Sequence, residues 1–78
     1  MSLNDLKIGE KALVTSIDID NKEMKRHLLD MGVTRGTVVK IKGVSPMGDP
    51  VNISLRGYDL CVRRMELSKI KCEVIKWR

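Results

Sequence analysis

The sequence has no phenylalanine, one tyrosine and one tryptophan among its 78 residues. Its core therefore has to be built from isoleucine, valine, leucine and methionine. A chain of this length buries only about 60% of the surface that it exposes when unfolded, so we expect one core and one domain. An aliphatic core of this kind suits a small barrel of short strands.

Long apolar runs are also missing. No run exceeds three residues, whereas a membrane-spanning helix needs about 20 apolar residues. Residues 1–5 lack the basic start and the apolar stretch of about 7–15 residues that mark a secretory signal. We therefore expect a soluble, cytoplasmic protein without direct membrane insertion.

Thiol and imidazole groups are scarce, since His27, Cys61 and Cys72 are the only ones. None of them forms the close pairs that structural zinc sites favour, so we predict no metal site. In a chain without an export signal we expect both cysteines to be free, with Cys72 in the core and Cys61 more accessible. We expect His27 to be a solvated side chain on a polar helix face.

No residue pattern suits catalysis. A nucleophile needs an adjacent base, and a pair of catalytic acids needs a cleft; neither arrangement can be assigned. Gly32 and Gly36 lack the spacing, and the following lysine, of a phosphate-binding loop. We therefore predict a non-enzymatic protein that binds a partner and has no cofactor.

The net charge of +5 lies entirely in the second half of the chain. Residues 1–39 hold six Lys/Arg and six Asp/Glu, and residues 40–78 hold nine and four. Such a bias fits nucleic acid, anionic lipid or an acidic protein surface. Single-strand binders usually add aromatic stacking platforms, and only Tyr58 and Trp77 are present. We therefore expect the protein not to bind a specific nucleic acid. A barrel that binds nucleic acid is kept as the alternative function.

Alternation of apolar and polar residues predicts five short strands, at residues 11–19, 37–42, 51–55, 60–63 and 69–75. In the first strand the alternation places Leu13, Thr15, Ile17 and Ile19 on one side. Residues 43–50 contain two Gly and two Pro and are predicted to be a long loop, and residues 57–59 a hairpin turn. Residues 64–68 form a short break before the last strand.

One helix is predicted between the first two strands. Asp20 and Glu23 have the spacing of a capping box, and Met24, Leu28 and Met31 recur at helical spacing. The helix should end at Gly32 with positive φ. The fold class is therefore mainly β: a small, partly open SH3-like barrel of about five strands with one α-helix between the first two.

Several blocks in this chain also resemble one family. They read Leu-Leu-Asp-Met-Gly-Val at 28–33, Arg-Gly-Thr at 35–37, Ser-Pro-Met-Gly-Asp-Pro-Val at 45–51, Arg-Gly-Tyr-Asp-Leu at 56–60 and Arg-Arg at 63–64. In this order and spacing they resemble the ferrous iron transport protein A (FeoA) family, over residues 6–74. The sequence departs from the usual Leu-Ala-Leu-Arg at 60–63 and has Leu67 where alanine is common, and both changes keep apolar character.

The resemblance implies a single SH3-like domain over residues 1–78, with 75–78 as a tail. It also implies a cytoplasmic accessory that regulates or assists the membrane ferrous iron transporter, ferrous iron transport protein B, which carries its own GTP-binding domain. Whether the chain forms a homo-oligomer is left undecided. The resemblance leaves a second alternative, a stand-alone relative of the C-terminal domain of iron-dependent repressors, which the absence of a preceding helix-turn-helix disfavours.

For the partner contact we predict the long loop and the neighbouring hairpin, with Met47, Arg56 and Tyr58 as the binding residues. Loops on a rigid scaffold often carry recognition, and Met, Arg and Tyr are enriched in interface cores. Gly32 should matter for structure before function. Asp30, at the unfavourable end of the helix dipole, should have a compensating local partner.

Overall fold

Residues 1–76 are described by the computed structural model. In chain order the elements are a 3₁₀ turn at Leu3–Asp5, β1 at Lys11–Ile17, α1 at Lys22–Asp30, β2 at Val38–Val44, β3 at Val51–Leu55, β4 at Tyr58–Val62, α2 at Arg64–Leu67 and β5 at Ile70–Ile75. The strands form one antiparallel sheet in the order β4-β3-β2-β1-β5. The expected mainly β fold, with one long helix between β1 and β2, is confirmed.

The core is aliphatic, as the lack of phenylalanine requires. The buried apolar residues are Leu3, Ala12, Val14, Ile19, Leu28, Val33, Val39, Ile41, Val51, Ile53, Leu55, Val62, Leu67, Ile70 and Cys72. In β2 and β3 they occupy alternate positions, so the predicted inner faces of these two strands are confirmed. Both cysteines are free, Cys72 buried and Cys61 exposed, as expected.

The predicted inner face of β1 is wrong for its first half. Ala12 and Val14 are buried, whereas Leu13 is only partly buried. The register with β5 shifts between Val14 and Ser16, which is the signature of a β-bulge. The extra residue of the bulge reverses the alternation. Ala12 and Val14 face the core before the bulge, and Ile17 packs against the core after it.

The start of α1 differs by one residue from the prediction. Asn21, not Asp20, is the N-cap, and its side-chain oxygen accepts a 3.1 Å hydrogen bond from the Met24 N–H. The predicted capping box between Asp20 and Glu23 is therefore absent. The Asp30 carboxylate has no hydrogen bond or ion pair within residues 1–76, so the local partner expected for it is absent there.

The predicted end of α1 is confirmed. Gly32 has φ of +94°. The Val33 N–H donates to the Leu28 carbonyl at 2.9 Å and the Gly32 N–H donates to the Leu29 carbonyl at 3.0 Å. These are the two bonds of a Schellman motif, with buried Val33 folded back on buried Leu28.

Three boundaries in the second half also differ. β2 continues through Val44, so the loop covers only residues 45–50. The hairpin turn consists of Arg56 and Gly57, both with positive φ, while Tyr58 belongs to β4. Ile75 pairs with Lys11 in the sheet and is not part of a tail, and the end of the predicted tail, 77–78, lies outside the described residues.

The break at residues 64–68 contains the single turn α2. Neither helix within residues 1–76 has the length and apolarity needed to cross a membrane.

Candidate functional site

The side chain of Arg56 connects the hairpin turn to the end of α1. Its Nε donates to the Gly32 carbonyl at 3.2 Å, and its Nη2 donates to the Thr34 and Thr37 hydroxyls, each at 3.1 Å. Arg56 and Gly32 are 24 residues apart in the sequence. The planar guanidinium can make these bonds together because its donors point in fixed directions.

The two threonines complete this hydrogen-bond network. The Thr37 hydroxyl donates to the Gly32 carbonyl at 3.2 Å and lies 2.9 Å from the Thr34 hydroxyl. A hydroxyl has one hydrogen to donate, so the Thr34 hydroxyl is the donor in the pair. Thr37 is 4% exposed, and this network satisfies its buried oxygen.

Gly32 is closely covered by the hairpin. A Cβ at this position would lie 3.2 Å from Arg56 Cδ and 3.2 Å from the Tyr58 hydroxyl oxygen. Both distances are tighter than ordinary van der Waals contact. Gly32 is therefore required for its backbone conformation and for this close approach.

We call Gly32, Thr34, Thr37, Arg56 and Tyr58 the helix–hairpin junction. Arg56 and Tyr58 remain solvent-exposed there, Tyr58 at 39%. No carboxylate within residues 1–76 pairs with Arg56, so its charge stays available at the surface. The junction presents a fixed guanidinium beside an amphipathic aromatic side chain.

Met47 lies at the tip of a different ordered segment, the loop at residues 45–50. It is 93% exposed. The Ser45 hydroxyl donates to the Asp49 carbonyl at 2.8 Å, and the Gly48 N–H donates to the Ser45 carbonyl at 2.8 Å. The loop thus holds an apolar side chain in solvent on a well-bonded backbone.

Arg64 fixes this loop to the body of the domain. Its Nε donates to the Gly48 carbonyl and its Nη1 to Asn4 Oδ1, while its backbone N–H donates to Asp49 Oδ1 at 2.9 Å. Neither this role nor the bonds of Arg56 were predicted from the sequence. The only signal for them was an arginine beside each turn, which does not identify a partner far away in the chain.

The structure brings together two of the three predicted contact residues. Arg56 and Tyr58 meet at the helix–hairpin junction, whereas Met47 lies in the loop before β3 and the hairpin turn follows β3. Five residues of strand span roughly 17 Å, at about 3.3 Å per residue. The predicted contacts therefore belong to two separate surfaces.

Cys72 lies on β5 and His27 on α1, and neither belongs to the helix–hairpin junction or to the loop at residues 45–50. Burial raises the pKa of the Cys72 thiol; the N-terminal ammonium lowers it and Asp5 raises it. His27 is exposed on α1. Within residues 1–76 no three His, Cys, Asp or Glu side chains come together in an arrangement that could hold a metal ion.

Two solved structures of similar proteins share this fold. The FeoA-like protein from Clostridium acetobutylicum is 38% identical with a TM-score of 0.88, over 100% of this chain and 90% of that one. FeoA from Stenotrophomonas maltophilia, solved with zinc and described as an SH3 domain protein, is 22% identical with a TM-score of 0.81, over 94% and 89%. The second likeness shows the fold alone, and it confirms the SH3-like prediction.

A curated relative links such a domain to a transporter. It is the Fe(2+) transport protein A/Fe(2+) transporter FeoB fusion protein of Porphyromonas gingivalis, 27% identical over 75 residues. The match covers 96% of this chain but only 9% of that protein. The family model of the FeoA domain matches residues 1–74. The resemblance seen in the sequence is confirmed: the chain belongs to the FeoA domain family.

Proposed function

We propose that this protein is a cytoplasmic accessory of ferrous iron uptake that binds a FeoB-type membrane transporter. The observation that carries the proposal is the Porphyromonas gingivalis relative, which joins the matching domain and the transporter in one polypeptide. Domains fused in one protein commonly act together, so a separate chain of the same family is expected to contact the same partner.

The proposed action is binding, not catalysis. The helix–hairpin junction supports this because Arg56 and Tyr58 are exposed, yet Arg56 is held by hydrogen bonds and the Tyr58 hydroxyl lies against Gly32. Arg and Tyr frequently dominate binding energy, and a fixed side chain loses little conformational entropy when a partner arrives. Met47 offers a second apolar contact on its ordered loop.

A pull-down with the detergent-solubilised transporter tests the proposal. Arg56 is not substituted in this test, because its Nε also donates to the Gly32 carbonyl and its loss would change the fold as well as the contact. We expect Tyr58→Ala and Met47→Ala each to weaken binding about tenfold while the thermal melt shows a folded domain. Met65→Ala is the matched control, since Met65 is also exposed but lies on α2.

The outcomes separate the function from the site. No recovery of the transporter by the wild-type chain would contradict the proposed function. Equal recovery by wild type, Tyr58→Ala and Met47→Ala would leave the function standing and remove the assigned contact residues.

A further inference from the structure

The two edge strands of the sheet, β5 and β4, differ in whether another part of the chain pairs with them. At β5, Ser2 forms a bridge with Lys71, and the Cys72 N–H donates to the Met1 carbonyl at 2.9 Å. The N-terminal residues thus cover that edge. At β4 no further strand of the described chain lies beyond Tyr58–Val62.

The pairing of β3 with β4 shows which groups this second edge presents. Leu55 pairs with Tyr58 across the two-residue turn, and the register continues unbroken to Val51 and Val62. Residues flanking such a turn exchange both hydrogen bonds, and every second residue then points its N–H and C=O away. On β4 the outward groups belong to Asp59 and Cys61.

These outward groups have no hydrogen-bond partner elsewhere in residues 1–76. Proteins usually protect an open edge with charged side chains, especially lysine, with proline or with a β-bulge. β4 reads Tyr-Asp-Leu-Cys-Val, in which Asp59 is the one charged residue; it contains neither lysine nor proline, and its pairing has no register shift. The register shifts in this sheet fall instead in the β1–β5 and β2–β3 pairs.

The inward side of β4 is also incompletely covered. Tyr58 is 39% exposed, and Leu60 is only partly buried where it packs against the core. Because side chains alternate along a strand, Tyr58 and Leu60 share one face, separated by Asp59. A further strand beside β4 would cover both side chains and pair the outward backbone groups.

We propose that β4 accepts an extended segment of the transporter's cytosolic part as a sixth strand. The backbone groups of Asp59 and Cys61 supply the hydrogen bonds, and apolar residues at alternate positions of the segment pack beside Tyr58 and Leu60. This inference rests on the proposed function and specifies its contact. A partner segment is favoured over a second copy because the fused relative carries the domain and the transporter together in one chain.

Amide exchange measured by NMR on the ¹⁵N-labelled chain tests the inference without any substitution. The probe is the soluble GTP-binding region of the transporter, followed by overlapping synthetic 12-residue peptides covering its other cytosolic segments. We expect the amides of Asp59 and Cys61 to exchange at least about tenfold more slowly in the complex. The amide of exposed Ile8 should be unchanged.

A matched pair of variants tests the same contact. Cys61→Pro removes the outward N–H, and an edge strand tolerates this change, whereas Cys61→Ser keeps the N–H. We expect Cys61→Pro to bind the same probe about tenfold more weakly than Cys61→Ser. If the melt shows that Cys61→Pro does not fold, Asp59→Pro against Asp59→Asn replaces the pair.

Three results would overturn the inference, each in a recognisable way. Binding with unchanged exchange at Asp59 and Cys61 would remove the edge contact and leave the proposed function intact. Slow exchange at these amides without the probe, together with a mass that rises with concentration, would assign the edge to a second copy. Failure of the wild-type chain to bind the solubilised transporter would end both proposals.

Discussion

Two independent features require glycine at position 32, its backbone conformation and the close approach of neighbouring side chains, and their contributions to stability can be measured separately. Its φ is +94°, and a Cβ would press on Arg56 and Tyr58 at 3.2 Å. Gly36 has nearly the same φ, +92°, with nothing within 4 Å of its Cβ position. A side chain at Gly32 would therefore meet both backbone strain and a steric contact, whereas a side chain at Gly36 would meet backbone strain alone.

We expect Gly36→Ala to lower the free energy of unfolding by about 1 kcal/mol, because an L side chain is strained at this φ. Gly32→Ala should cost more, about 2 kcal/mol, because the Arg56 side chain must also move. Denaturant unfolding measures both. Equal losses would contradict the role of the close contact, and an unchanged melt with lost partner binding would place Gly32 in the interface.

Arg56 should act through the shape of its guanidinium more than through its charge. Arg56→Lys keeps the charge but cannot reproduce the bonds to Gly32, Thr34 and Thr37. We expect a loss of about 1–2 kcal/mol in the free energy of unfolding. Arg35→Lys, at an exposed position of the neighbouring turn, should change it little and is the control. Similar melts for both variants would contradict this account of Arg56.

The two thiols should react at very different rates in the folded protein. Cys61 is exposed, whereas burial both shields Cys72 and raises its pKa above the ordinary value of 9.0. We expect iodoacetamide at neutral pH to modify Cys61 alone, and both thiols in denaturant, as read by mass spectrometry. Rapid native labelling of Cys72 would contradict its place in the core.

The raised pKa of Cys72 also fixes the sign of a pH effect. A folded-state pKa above the unfolded one stabilises the fold fully below about pH 9, and this contribution is lost as pH rises through the folded value. The free energy of unfolding should therefore fall above pH 9. A Cys72→Val variant should show a smaller fall over the same range, measured by denaturant unfolding.

At the scale of elements, the loop at residues 45–50 depends on one side chain from α2. Arg64 satisfies the Gly48 carbonyl and Asn4 Oδ1. We expect Arg64→Ala to cost about 1–3 kcal/mol and to speed amide exchange at Gly48. Arg63→Ala, at the adjacent exposed position, should leave both values nearly unchanged. Equal effects of the two substitutions would contradict the anchoring of the loop by Arg64.

Patterns of neighbouring residues predicted correctly those elements in which the alternation of apolar and polar residues is not interrupted. The alternation in β2 and β3 and the Gly32 helix end were correct because each depends on near neighbours in sequence. The inner face of β1 was wrong because a bulge after Val14 reverses the alternation, and composition does not mark where a bulge falls.

The candidate site was predictable only in part. The Gly- and Pro-rich composition around Met47 indicated an exposed loop, which is what the structure has. The bonds of Arg56 to Gly32 could not be predicted, because they join residues 24 positions apart that meet only after the sheet has formed. Arg56 and Tyr58 as partner contacts remain a prediction.

At the scale of the whole molecule, the net charge of +5 suggests a rival activity, the binding of nucleic acid. We expect only weak binding to a generic single-stranded RNA, lost as salt rises because it depends on counterion release. Fluorescence anisotropy at several salt concentrations measures this. Submicromolar affinity near physiological ionic strength would favour a nucleic-acid-binding barrel over a transporter accessory.

The proposed function depends most directly on contact with the transporter. The measurement is isothermal titration of the wild-type chain into a purified, detergent-solubilised FeoB-type transporter, with the Tyr58→Ala and Met65→Ala variants in parallel. We expect saturable one-to-one binding that weakens about tenfold for Tyr58→Ala and stays unchanged for Met65→Ala. Absence of saturable binding by the folded wild-type chain would contradict the proposed function.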